Sequence, residues 1–152
     1  MARGYTRSIQ KTLTVTNGVY TIADVVGGLI TFPNAVRGNG GVSIVRSVKL
    51  AGVVAIAYNL VFLSGDIATT AADNAAFTVV AADELLYLGH VSIPIANYVA
   101  AASAFNVATV ANVNLQVQAA ATTTSIFAYM VAPAVTSPAT TTIYLTVDFE
   151  PQ

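Results

Sequence analysis

From residue 85 to residue 147 the chain runs through 63 positions without a single Lys, Arg, Asp or Glu. A stretch that long without charge must lie in a membrane, lie inside a core, or make its soluble surface from neutral polar groups. The interruptions decide between these. Pro94, Pro133 and Pro138 break the stretch, and Asn97, Asn106, Asn112, Asn114, Gln116 and Gln118 stud it, together with two Thr-Thr-Thr runs. No window of about 20 residues is continuously apolar, so a transmembrane helix does not fit. The remaining reading is a soluble fold whose polar positions are amides and hydroxyls. Charged residues make up only 9% of the chain against about 25% in ordinary domains, while 55% is hydrophobic. That balance excludes a disordered chain. Six basic and seven acidic residues give a net charge of −1, which argues against an electrostatic nucleic-acid binder. A chain so poor in charge is expected to cover part of its surface with copies of itself.

The periodicity is that of strands, and 152 residues suit one domain. Leu13 and Val15 alternate with threonines, and Asn17-Gly18 then interrupts, the signature of a type I′ hairpin turn leading into Val19–Ile22. Gly27-Gly28 should break or bulge the next strand, which Pro33 ends, and residues 38–41 are a glycine loop. In the strand that follows, Val42, Ile44, Val48 and Leu50 are assigned to one face. Arg46 falls on that apolar face, which calls for a bulge or an edge partner. Residues 53–63 read as a strand buried on both faces, residues 71–76 as one helical turn in a long loop, and residues 85–95 as another strand. The clearest alternation is Asn112-Val113-Asn114-Leu115-Gln116-Val117-Gln118, with three aliphatics on one face and four amides on the other. Strands at 126–131 and 143–149 complete the count. Eight to ten short strands without a sustained helical period predict an all-β domain, a β-sandwich or jelly roll.

Few residues could do chemistry. His90 is the only histidine; with Ser92 and Asp83 nearby a triad can be drawn, yet there is no nucleophile elbow and no second base. One His and no Cys cannot fill a zinc site, and the missing cysteines also rule out disulfides and leave the chain able to fold in a reducing cytosol. Asp66, Asp73, Asp83 and Glu84 could in principle serve glycoside hydrolysis or calcium binding. The calcium-loop spacing is absent, however, and there is no Trp to act as a sugar platform, so these carboxylates read as solvated loop groups or caps. No enzyme activity and no cofactor is expected. The start, MARGYTRSIQK, is basic but has no apolar segment after it, so no secretory signal is expected.

Charge placement points to assembly. Arg3, Arg7 and Lys11 hold half of the basic residues, and residues 1–10 are expected to form an N-terminal arm outside a domain at 11–152. Arg3, Arg7 and Lys11, together with the amide face of Asn112, Asn114, Gln116 and Gln118, are the expected assembly contacts.

Several segments resemble a known group. DVVGGLITF at 24–32, the strand pair at 43–63, TTAADNAAF at 69–77, YLGHV at 87–91 and NVNLQVQ at 112–118 are similar to small virion structural proteins of tailed bacteriophages, over residues 8 to 149. The resemblance implies a non-enzymatic capsid decoration (cement) protein, often a β-sandwich forming trimers on the head. Its partners would be copies of itself and the major capsid protein, its place the virion after synthesis in the host cytoplasm, and it brings no catalytic residues. The alternative from another class is a receptor- or carbohydrate-binding β module of a tail, fibre or adhesin. That alternative requires Tyr58, Tyr87, Tyr98, Tyr129 and Tyr144 to gather on one exposed face.

Overall fold

A computed structural model describes residues 5–52, 54–68, 70–102 and 105–152. These form nine strands: β1 (Arg7–Thr14), β2 (Val25–Phe32), β3 (Val42–Gly52), β4 (Tyr58–Leu63), β5 (Tyr87–Ile93), β6 (Tyr98–Ala102), β7 (Phe105–Gln118), β8 (Ile126–Val131) and β9 (Thr142–Pro151). The path is that of one long hairpin folded over on itself. β4 pairs with β5 at its tip, and moving outward β3 pairs with β7, β2 with β8 and β1 with β9, all antiparallel. Successive pairs alternate between two sheets, so that β9 also pairs with β3 and β8 with β4. The orders β1-β9-β3-β7-β6 and β2-β8-β4-β5 result. With β6 set aside as an added edge, this is the nested wrapping of an eight-stranded jelly roll. The all-β sandwich read from periodicity is the observed class.

Alternation builds the core. On β9, Ile143, Leu145, Val147 and Phe149 are buried while Tyr144, Thr146, Asp148 and Glu150 face outward. Phe149 reaches across to Phe32 on β2 and Phe62 on β4, with ring centroids 5.3 and 6.4 Å away, and Phe32 and Phe62 stand 6.2 Å apart. All three rings are fully buried in tilted or edge-on contacts, the geometry that aromatic quadrupoles favour. A smaller cluster of Val25, Leu63, Ile67, Ala71, Tyr129 and Val131 lies under the loop at residues 64–86.

Some local expectations give way to the wrapping. Asn17-Gly18 makes no hairpin. β1 finds its partner at the far end of the chain, and residues 15–24 cross between the sheets, held by a bridge from Tyr20 to Thr136. The strand expected at 53–63 begins only at Tyr58; residues 54–57 turn the chain from one sheet to the other, and Val53 lies outside the described residues. The helical turn expected at 71–76 is instead a turn at Asp73-Asn74, and a 3₁₀ helix at Ala81–Leu86 comes before β5. The hairpin of β6 and β7 was not expected, because its alanine-rich sequence carries no strand period.

Both bulges follow from the residues present. Gly27 and Gly28 take φ of +83° and +73° where the β2–β8 register slips, a backbone that side chains resist. On β3 the register slips between Val45 and Ser47 against both neighbours. The slip turns Arg46 outward and corrects the face assignment: Ser43 and Val45 point inward, Ile44 is half-exposed, and Val48 and Leu50 point inward again. The N-terminal boundary also moves. Residues 7–10 pair with residues 146–149 and Ile9 packs on the core, so they belong to the domain rather than to a free arm.

Two expected outcomes follow. Ser43 Oγ is fully buried and has no hydrogen-bond partner among the described residues. Ser43→Ala removes an unsatisfied hydroxyl and should leave Tm unchanged or raise it by a few degrees; a clear loss of Tm would reveal a partner for that hydroxyl. Deleting residues 1–10 removes half of the β1 ladder and the contacts of Ile9. It should cost about 2 kcal/mol, seen as a Tm lower by roughly 4–8 °C in thermal denaturation.

Candidate functional site

His90, Ser92 and Asp83, the three groups of the triad drawn from sequence, have three separate partners. His90 Nδ1 shares a hydrogen bond with the Tyr87 hydroxyl at 2.7 Å, and the Ser92 hydroxyl donates to Asn59 Oδ1 at 2.9 Å. Asp83 is buried, and its Oδ2 accepts the Ala68 N–H at 3.0 Å. No three His, Cys, Asp or Glu side chains converge among the described residues.

Three of the four acidic candidates brace the long loop between β4 and β5. Asp66 accepts the buried Tyr129 hydroxyl at 2.8 Å and the Thr70 hydroxyl at 2.6 Å. Burial and the adjacent Asp66 together push the Tyr129 hydroxyl up to about 12. Asp83 holds the loop's start through Ala68, while Glu84 is exposed. Asp73 is the hub. Its carboxylate accepts the Thr16 N–H and hydroxyl and the Gly27 N–H, each at 2.6 Å, and the Tyr20 hydroxyl at 2.8 Å. Burial works against its ionisation, but the bonds from Thr16, Gly27 and Tyr20 outweigh burial and hold the carboxyl below the ordinary aspartate value. Tyr20 is pushed the other way, to about 12, by burial and by that carboxylate. Backbone bonds from Val25 to Ala75 and from Asn74 to Val25 finish pinning the loop along the edge of β2. Neither Tyr20 nor the Gly27 amide was identified from sequence as a partner of Asp73; they lie 53 and 46 positions away along the chain.

The expected assembly residues divide. Arg3 lies outside the described residues. Arg7 sits in β1 and donates to the Asn34 carbonyl, and Lys11 is half-buried on the side of Ile9 and Leu13. Val113, Leu115 and Val117 do face the core, with exposed amides between them. The two asparagines have a backbone role besides. Asn112 and Asn114 take φ of +56° and +54° opposite the β3 bulge, a conformation Asn tolerates better than most residues. Asn114 Oδ1 also accepts from Arg46, which forms an ion pair with Glu150, while Gln118 donates to the Gly40 carbonyl at 3.1 Å and Gln116 is exposed. Beside this cluster, burial opposes ionisation of Asp148, but Ser47, Ser8 and the charge of Lys49 hold it below the ordinary range. The legible signal for the Arg46 cluster was the misplaced arginine itself.

The five tyrosines do not gather. Tyr58 and Tyr129 are buried, Tyr98 is half-buried, and the exposed Tyr87 and Tyr144 belong to different sheets. An open depression of about 360 Å³ on the outer face of the five-stranded sheet has Ala51 in its floor, flanked by Tyr144 and Phe105 with Lys49 beside them. No family model, no curated protein and no solved structure matches the chain.

Asp73→Ala takes the acceptor from the Gly27 N–H and one acceptor each from the Thr16 N–H, the Thr16 hydroxyl and the buried Tyr20 hydroxyl. It should cost about 2 kcal/mol, a Tm lower by roughly 4–8 °C. In the native chain the folded carboxyls of Asp73 and Asp148 lie below their unfolded value, so their stabilisation is complete above that value and is lost as pH falls below about 4. Asp73→Asn keeps one acceptor oxygen, should lose less stability at neutral pH, and should flatten this acid limb. Denaturant titrations across pH check both statements; a limb of unchanged slope in Asp73→Asn would remove Asp73 from it.

Proposed function

We propose that this chain is a non-enzymatic structural protein of a virus particle, a decoration (cement) protein that binds the head shell of a tailed bacteriophage. The observation that supports this reading is how the sandwich sorts its surface. The loop at 33–41, both ends of the loop at 64–86, the start of β1 and the end of β9 lie at one end, and that end carries Arg7, Arg37, Arg46, Asp66, Asp83, Glu84, Asp148 and Glu150. The connections at 15–24, 54–57, 94–97 and 132–141 lie at the other end, and their one formal charge, Asp24, is buried and bonded to Thr21. A molecule with two unlike ends suits a position between a polar shell and neighbouring copies. Three of the four candidate carboxylates are engaged with backbone and hydroxyl groups of the chain itself, which suits a structural role.

The charged end is the one that would face the shell, so attachment should weaken as salt screens it. Full-length protein added to undecorated phage heads should occupy symmetric sites in a particle density map, with occupancy falling between low and high salt. Density confined to the tail, or no density on the heads at any salt concentration, would refute the decoration reading.

A further inference from the structure

We infer that the uncharged end of the sandwich is a self-association surface, and that its occupant is the same end of a second copy of this chain. The inference rests on the particle-protein reading and adds a surface and a partner to it. Six large apolar side chains stand exposed on this end: Val19 62%, Ile22 67%, Val54 38%, Ile95 59%, Val99 70% and Val135 66%. Topology brings them together. Tyr20, between Val19 and Ile22, bridges Thr136 beside Val135, and the Ala23 N–H bonds the Ala132 carbonyl. A depression of about 180 Å³ then joins Ile95 and Val135 across Ala55, Ala57 and Pro133.

Two acidic residues approach this end, and both are already satisfied. Asp24 is buried and accepts the Thr21 N–H and hydroxyl, while Asp73 accepts the bonds described above. The surface is therefore apolar without a charged rim. Side chains of this size bury on the order of 100 Å² each when fully covered, so the six offer roughly 400 Å² at their observed exposures. That alone matches the largest patch of an ordinary monomer. With the intervening Ala, Pro and Thr surface it approaches the about 800 Å² that each partner gives a standard interface.

The sheet edge at this end points the same way. Of the four edge strands, β1 carries Arg7 and Lys11, β2 is bulged and covered by the loop containing Asp73, and β5 is bent at Gly89 and bulged beside it. β6 has a register slip of its own between Ala100 and Ala102, but it reads Tyr-Val-Ala-Ala-Ala, is exposed from Val99 onward, and carries neither charge nor proline. A charged partner would have to lose hydration here and gain no counter-charge, whereas a second copy brings a surface of the same kind.

The test is sedimentation equilibrium of the full chain at micromolar concentration, with Ile22→Glu and Val135→Glu as separate variants. Both positions are exposed, so each variant should keep the wild-type far-UV circular dichroism spectrum, while its Tm falls only by the share that association contributes. Leu85→Glu, at the charged end and 92% exposed, is the control. Wild type and Leu85→Glu should form oligomers, while Ile22→Glu and Val135→Glu should weaken association by roughly 100-fold or more and approach a 15.6 kDa species. Oligomers that survive both loop variants, or that Leu85→Glu disrupts instead, would overturn this surface and leave self-assembly standing. A monomeric wild type that still decorates phage heads would overturn the inference alone, and one that fails to decorate them would remove the particle reading as well.

Discussion

Phe149 holds the two sheets in register. It belongs to the last strand, β9, which lies between β1 and β3 in the five-stranded sheet, and it packs against Phe32 and Phe62 of the opposite sheet. The core therefore cannot close until the end of the chain has been placed between strands from its beginning. Two of the pairs nested inside it, β2 with β8 and β3 with β7, also join segments far apart in sequence. Such non-local pairing makes loop-closure entropy the main opponent of folding. A fully buried aromatic cluster is a fitting counterweight, because each ring removes a large apolar area from water at one point.

Wrapping the chain in this way leaves one loop, residues 64–86, too long to be ordered by its own backbone. The protein orders it with carboxylates. Asp66, Asp73 and Asp83 reach Tyr129, Thr16, Tyr20, Gly27 and Ala68, and these bonds tie the loop to strands β2 and β8, to the connection at 15–24 and to its own start. Ionised acceptors make stronger hydrogen bonds than neutral ones, which explains how so few acidic residues can serve so long a loop. The same residues had looked like the best candidates for metal or hydrolytic chemistry. Their position in the fold gives them structural partners instead.

Surface sorting follows from topology acting on an uneven sequence. Strand ends alternate between the two ends of the sandwich, so charges scattered along the chain at positions 7, 37, 46, 66, 83, 84, 148 and 150 collect at one end. The connections that fall at the other end carry one formal charge, the buried Asp24, and two of them lie within the 63-residue neutral span. This asymmetry underlies both the particle reading and the choice of the apolar end for self-association.

Local sequence determined the all-β class, the strands around 29–32, 126–131 and 143–149, and an interruption at Gly27-Gly28 that the structure shows to be a bulge within β2, because alternation and backbone tolerance are local properties. The core-facing side of Val113, Leu115 and Val117 was legible for the same reason, and Arg46 announced its bulge by breaking the pattern. Pairing was not legible. Asn17-Gly18 carries a strong hairpin signal, yet β1 joins β9, because the buried area gained by wrapping outweighs the preference of one turn. The site depended on tertiary structure still more. Asp73 meets Tyr20 and Gly27, and Arg46 meets Glu150, across separations of 46 to 104 residues. A hydrogen bond depends on distance in space, and only the folded sheets set that distance.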